Sequence, residues 1–224
     1  MNTALITGTS KGIGLELAKQ LLSRNYTVIG IARSPCPIEH DNYFHLTADI
    51  TSEECPQLLK DIFLDQGFSR LDLLINNAGV GATGCSIETI DVNELRSQFE
   101  LHCVSAFKMV QVLCPYLDNS KIVNITSRLG STKLNARGDF NGKGFSYAYR
   151  IAKAAQNMLS LCLAGDERLS SNLVISIIPG LLRTDSGSRD AKNTAEEGAQ
   201  GMLDVIFFAP ANGIYHAFGH EAEY

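Results

Sequence analysis

Tyr149 and Lys153 stand four residues apart in an apolar-periodic stretch, residues 147–169, that reads as a helix, so the two side chains share one face. A phenol titrates at about 10 on its own, too high for a proton carrier at neutral pH, and a neighbouring ammonium stabilises the phenolate and lowers that value. The pair is therefore a candidate acid/base for a reaction in which charge develops on an oxygen. Hydride transfer to a carbonyl is one such reaction: the site must supply a proton and hold the oxygen in place. Ser127, at the end of an apolar run over 121–126, is placed to offer that oxygen a hydroxyl, with Ser131 as its rival. The same Tyr-x-x-x-Lys spacing also describes an ordinary solvated helical pair.

A second group of residues suits phosphate. Gly8, Gly12 and Gly14 lie where a short β-branched run, residues 4–7, gives way to a helical pattern over 13–24. Gly8 permits a tight turn, Gly12 lets the backbone approach a pyrophosphate, and Gly14 lets the helix pack close to the strand. The amides at the helix N-terminus then face the phosphates. The spacing is GxxxGxG rather than GxGxxG, and its position at the first strand–helix junction is what gives it weight.

The elements that must position these residues alternate along the chain. Strand-like runs fall at 26–32, 44–48, 71–75, 121–126, 173–178 and 214–217 in addition to 4–7, and helical patterns at 13–24, 56–66, 92–116, 147–169 and 194–208. Most of the runs are short and apolar throughout, as in strands covered on both faces. The alternation implies βαβ units and right-handed crossovers, hence a single doubly wound α/β domain of Rossmann type over residues 1–224, with a seven-stranded, mostly parallel sheet and helices on both faces.

Composition narrows the function classes. Of 224 residues, 45% are hydrophobic and 19% charged, which suits a packed globular core. The net charge of −5, with no basic block, argues against nucleic acid and anionic membranes as partners. No apolar stretch approaches the ~18 residues of a membrane span, and the first residues lack the pattern of a signal peptide. A cytoplasmic location is expected. Cys36, Cys55, Cys85, Cys103, Cys114 and Cys162 include no CxxC pair and no His at metal-ligand spacing, so free thiols and no metal are expected.

Taken together, the glycine turn, Asn76-Asn77-Ala78-Gly79, Ser127, the Tyr149/Lys153 pair and Pro179-Gly180 resemble, in this order over almost the whole chain, the short-chain dehydrogenase/reductase family. The stretch around Tyr149 and Lys153, with Thr184 and Ala191, most resembles the small carbonyl reductases of the C-factor/sniffer type. The resemblance implies an oxidoreductase that moves a hydride between a nicotinamide and a small carbonyl or alcohol. Tyr149 would be the acid/base, Ser127 would orient the oxygen, and Lys153 would lower the Tyr149 pKa and hold the nicotinamide ribose. It implies cofactor contacts at Gly8, Ser10, Lys11, Gly12, Ile13 and Gly14, at Asp49 and Ile50 beside the adenine, and at Asn76, Ala78 and Gly79, a segment that shapes the adenine wall and the sheet centre and serves architecture as much as contact. It further implies contacts at Pro179, Gly180, Leu182 and Thr184 near the carboxamide. Asp49 also reads as a helix cap.

The second strand ends Gly30-Ile31-Ala32-Arg33, without the acid that binds a free ribose 2′-hydroxyl. Arg33 can fork onto a phosphate, and Lys11 is similar to the basic residue of NADP-preferring relatives. NADP(H) is the expected cofactor, with NAD(H) possible. His102 departs from the family pattern, which has Asn there; it could hold a relay water, relay a proton itself because imidazole titrates near neutrality, or simply pack. Substrate loops are expected at 81–86, 128–146 and 184–194, the last as a lid. Pairing through the helices at 92–116 and 147–169 implies a homodimer or homotetramer by analogy. A competing expectation is a low-turnover nucleotide-binding regulatory or signalling protein of the same fold.

Overall fold

The structure, a computed structural model, describes residues 1–81, 86–184, 187 and 189–218. Seven parallel strands form one sheet: β1 (Thr3–Thr7), β2 (Thr27–Ala32), β3 (Tyr43–Thr47), β4 (Leu73–Asn76), β5 (Lys121–Ile125), β6 (Leu173–Ile178) and, at the far edge, β9 (Gly213–His216). Their spatial order is β3-β2-β1-β4-β5-β6-β9. Every pair is parallel, so the sheet is wholly rather than mostly parallel. The order reverses direction between β1 and β4, and in such sheets ligands bind beyond the strand carboxyl ends at that switch.

Alternation along β1 sorts the two cores. Ala4 and Ile6 face one cluster with Leu17 and Leu21 of α1 (Gly12–Leu22) and Met202, Leu203 and Ile206 of α7 (Ala195–Phe208). Leu5 faces the other, with Leu59 and Phe63 of α2 (Cys55–Asp65), Met109 and Leu113 of α4 (Ser105–Leu113) and Leu163 of α6 (Tyr147–Ala164). Each fully buried Leu or Ile contributes about 2 kcal/mol of burial against about 1 kcal/mol for a net hydrogen bond, so these faces fix the layers.

Two elements depart from the sequence pattern. The single helix expected over 92–116 is α3 (Val92–Phe99), a π-helical turn at Glu100–Val104, and α4, closed by a 3-10 turn at Cys114–Tyr116. The expected loop before Tyr149 is partly ordered. It holds α5 (Thr132–Ala136), buries Phe140 edge-on to Phe145, and ties Asn135 to Arg150. β7 (Leu182–Arg183) and β8 (Asn193–Thr194) pair with each other and close the base of the 184–194 segment. Ala82–Cys85 of one expected substrate loop, and Asp185, Ser186 and Ser188 of the lid, lie outside the described residues.

Candidate active site

The glycine turn is built as its spacing requires. Gly8 has φ +80°, and a Cβ there would stand 2.9 Å from the Ala78 Cα. A Cβ on Gly14 would lie 2.1 Å from the Gly8 carbonyl oxygen, so α1 abuts the end of β1. Gly12 has φ +61° and open space around it, bounded only by the Thr184 methyl at 4.0 Å, which brings the segment after β6 over the turn. α1 begins at Gly12 with Lys11 as N-cap, no acid in its first turn and no side-chain cap, so Ser10 and Ile13 flank amides that a phosphate can reach.

A clamp that sequence reasoning missed holds this turn. The Thr7 hydroxyl accepts the Asn77 amide at 3.0 Å and the Ala78 amide at 2.9 Å, and the Asn77 side chain donates to the Thr7 carbonyl at 2.8 Å. Tyr43 was missed as well: its hydroxyl meets the Thr9 hydroxyl at 2.9 Å in the space that Gly30 leaves open. Asn76 lies at the sheet centre, where its amide donates to Asn124 at 2.9 Å.

At the end of β2, Arg33 is exposed and lies 3.8 Å from Asp49. Asp49 also accepts from the Thr51 amide and hydroxyl, and the amide bond chiefly holds its carboxyl below the usual range, with Arg33 adding to the effect. Asp49 therefore caps a turn ahead of α2, whose own N-cap is Glu54, and Ile50 is buried beside it. Beyond β6, Pro179 leads into Gly180, with φ +78°, and Leu182 packs its side chain onto Gly198 of α7.

The reacting residues converge at the carboxyl end of β5. The Ser127 hydroxyl faces the Tyr149 phenol and favours its ionised form. Ser131 is not a rival, because its buried hydroxyl caps α5 by accepting the Leu134 amide. The Lys153 Nζ lies 5.7 Å from the centre of the Tyr149 ring. It donates to the Ile125 carbonyl at 2.7 Å and to Gln156 Oε1 at 2.9 Å. Gln156 was missed, although Lys153, Gln156, Asn157 and Ser160 form a buried polar stripe on an otherwise apolar helix face.

These positions set the electrostatics of the site. Burial pushes the Tyr149 phenol up, with Ser127 opposing it, and the Lys153 ammonium is turned toward β5 and Gln156. Burial lowers Lys153 itself to about 7. His102 sits in the π-helical turn, edge-on to Tyr149 with ring centres 5.4 Å apart. Its Nε2 lies 3.2 Å from the Val80 carbonyl, which can only accept, so Nε2 carries the proton and Nδ1 is bare, buried and unpartnered. Burial, then the Lys153 charge, holds His102 down at about 3. That keeps the imidazole neutral at pH 7, which favours packing or holding a water over relaying the proton itself. A Cβ on Gly79 would stand 2.6 Å from the His102 ring, so that glycine makes room for the imidazole.

Among the described residues no cluster of three or more His, Cys, Asp or Glu side chains could hold a metal. Cys36, Cys55, Cys103, Cys114 and Cys162 are unbonded thiols, and Cys85 lies outside the described residues. No helix among the described residues is long and apolar enough to cross a membrane.

A parallel sheet with an open glycine turn at its switch point, and a Ser/Tyr/Lys cluster two strands away, defines a dinucleotide-binding α/β protein of the doubly wound class. The chain belongs to the short-chain dehydrogenase family of oxidoreductases: residues 2–195 match the family's model, described as short chain dehydrogenase. It is 32% identical over 139 residues to C-signal of Myxococcus xanthus, covering 61% of this chain and 80% of that protein. It is 29% identical over 220 residues to 1-hydroxy-2-glutathionyl-2-methyl-3-butene dehydrogenase of a Rhodococcus species, covering 92% and 91%. Its fold is similar to the NADPH-bound carbonyl reductase from chicken fatty liver, with TM-score 0.88 and 23% identity over 100% and 99% of the two chains. The carbonyl reductase Sniffer of D. melanogaster superposes with TM-score 0.88 at 24% identity over the whole of both chains.

Proposed function

We propose that the chain is an NADP(H)-dependent carbonyl reductase acting on a small ketone or aldehyde, or on the corresponding alcohol in reverse. The observation that carries this reading is the convergence of Ser127 and Lys153 on Tyr149, with the Lys153 Nζ 5.7 Å from the centre of its ring. The residues present fit a dinucleotide: among the described residues, the open cradle at Gly12 meets nothing nearer than the Thr184 methyl, beside the uncapped start of α1. When bound, the nicotinamide supplies the hydride. Ser127 donates a hydrogen bond to the substrate oxygen and sets its direction. The Tyr149 phenol, raised by burial and therefore protonated at neutral pH, donates its proton to that oxygen as charge develops there. Lys153 lends positive charge that favours the resulting phenolate. His102, neutral, accepts a hydrogen bond at Nδ1 and holds a water on the route by which the proton is replaced.

Arg33, more than two-thirds exposed and paired only loosely with Asp49, is available to a ribose phosphate, with Lys11 across the turn; NAD(H) binds more weakly on this reading. Similar structures that hold NADPH or NADP support the same choice. Self-association falls on the exposed apolar side of α6 and α3–α4, at Ile151, Met158, Leu161, Phe99 and Phe107, as a dimer or tetramer in the cytoplasm. The test is titration with NADPH and NADH followed by a carbonyl panel, for wild type and Tyr149→Phe. Tight NADPH binding with turnover that Tyr149→Phe abolishes supports the reading; equal turnover in the variant overturns the mechanism. The similarity to C-signal favours one second reading, a nucleotide-binding signalling protein of low turnover. It predicts NADPH binding with no turnover of any panel member.

A further inference from the structure

We propose that Gln156 is a positioning residue whose side-chain carbonyl anchors the buried Lys153 ammonium beneath Tyr149. The inference rests on the reductase reading and deepens it.

Lys153 and Gln156 are 4% and 2% exposed, so neither side chain can exchange its partner for solvent. Two acceptors receive the ammonium: the Ile125 carbonyl at the end of β5 and Gln156 Oε1, one turn further along α6. Both bonds are charge-assisted, the kind that stabilises a buried ion most. Among the described residues no carboxylate pairs with Lys153. The titratable groups facing it are Tyr149 on its own helix and His102 on the π-helical turn, both neutral at pH 7, while β5 offers an uncharged carbonyl. Burial without a counter-ion drives a lysine toward the neutral amine, and a neutral amine has no charge to offer the phenolate. Gln156 is the side chain that opposes this. Ile125 is a backbone group and would remain in any variant, whereas Gln156 sets a contribution that the sequence can change.

The Gln156 backbone is itself fixed. Its carbonyl accepts the Ser160 hydroxyl at 3.1 Å, and Ser160 also receives the Asn124 amide at 2.8 Å and the Ser176 hydroxyl at 2.7 Å. A chain of buried polar groups from β4, β5 and β6 therefore ends at the residue that holds the lysine.

The experiment compares wild type with Gln156→Met, similar in length but without a strong acceptor, and Gln156→Glu, the same size with a charged acceptor. The Lys153 side chain is titrated by NMR in the cofactor-free protein, with its signal assigned from Lys153→Arg. Losing one charge-assisted bond lowers the Lys153 pKa by about one unit in Gln156→Met, and Gln156→Glu raises it by about one unit. In carbonyl reduction with NADPH, the alkaline limb of kcat/KM moves the same way in each variant. Gln156→Met is thus about tenfold slower than wild type above the limb and close to it below. A titration unmoved in both variants overturns the proposal, as does an activity loss in Gln156→Met that is equal at every pH, the mark of a packing role. If Gln156→Met does not fold, the upward shift in Gln156→Glu decides alone. Wild type that reduces no carbonyl overturns the reductase reading instead, and the cofactor-free titration still decides the role of Gln156.

Discussion

The phosphate-binding half and the reacting half of this molecule are held in different ways. Around Gly8 and Gly14 backbone meets backbone: a Gly14 Cβ would lie 2.1 Å from a carbonyl oxygen, and the Thr7 and Asn77 side chains lock the turn by bonding main-chain groups. Around Tyr149 the positions are held by side chains. His102 leans on the tyrosine ring, Gln156 and Ile125 hold Lys153, and Ser127 meets the phenol. Gly8 and Gly14 tolerate almost no added atom, whereas the second half can be retuned one side chain at a time.

The largest expected effect separates the halves outright. Tyr149→Phe should lower kcat by about 10²–10⁴-fold while NADPH affinity, read by nicotinamide fluorescence, stays within about threefold. A parallel loss of binding would mean that the halves are not separable. Next, Gly14→Ala should destabilise the fold by about 2–3 kcal/mol in thermal or urea unfolding. Gly79→Ala, whose added Cβ meets the His102 ring instead of backbone, should cost less. Equal losses would erase the distinction between backbone and side-chain support. Arg33→Ala should weaken NADPH by about tenfold, the ~1.4 kcal/mol of one charge-assisted contact at an exposed site, and leave NADH unchanged.

The smallest effect concerns His102. Its folded pKa of about 3 lies below the ordinary 6.5, so the unfolded chain binds the proton first and stability falls as pH drops from 6.5 toward 3. Between pH 6.5 and 5.5 this amounts to about 1 kcal/mol, and His102→Asn should flatten that slope in urea unfolding. An unchanged slope would show that the imidazole is not held neutral.

The strands were legible because uniformly apolar runs have little other use in a chain that alternates them with amphipathic segments. The glycine turn was legible because Gly8 and Gly14 each answer a steric demand that only glycine meets. The helix over 92–116 shows where pattern reading stops. A 3.6-residue period cannot register the extra residue of a π-helical turn, so neither the break at Glu100–Val104 nor the inward aim of His102 was visible. The pairing of Tyr149 with Lys153 could be read from spacing, but the direction of the ammonium could not. It depends on the Ile125 carbonyl, 28 residues away in sequence, and on a glutamine that pattern reading takes for ordinary helix.

The bonds between Thr7 and Asn77 have a consequence for how the molecule is made. They join residues 70 positions apart, across the seam where the two wings of the sheet meet. Loop closure over that distance comes after the local βαβ pairings have formed. A chain that has folded only its first wing therefore has a glycine turn tied to β2 and β3, through the Gly8 amide on the Ile31 carbonyl and Thr9 on Tyr43, but without the clamp from Asn77 and Ala78. The turn is complete only when the seam has closed, so ligand added during refolding should stabilise the finished domain without speeding the steps that precede it.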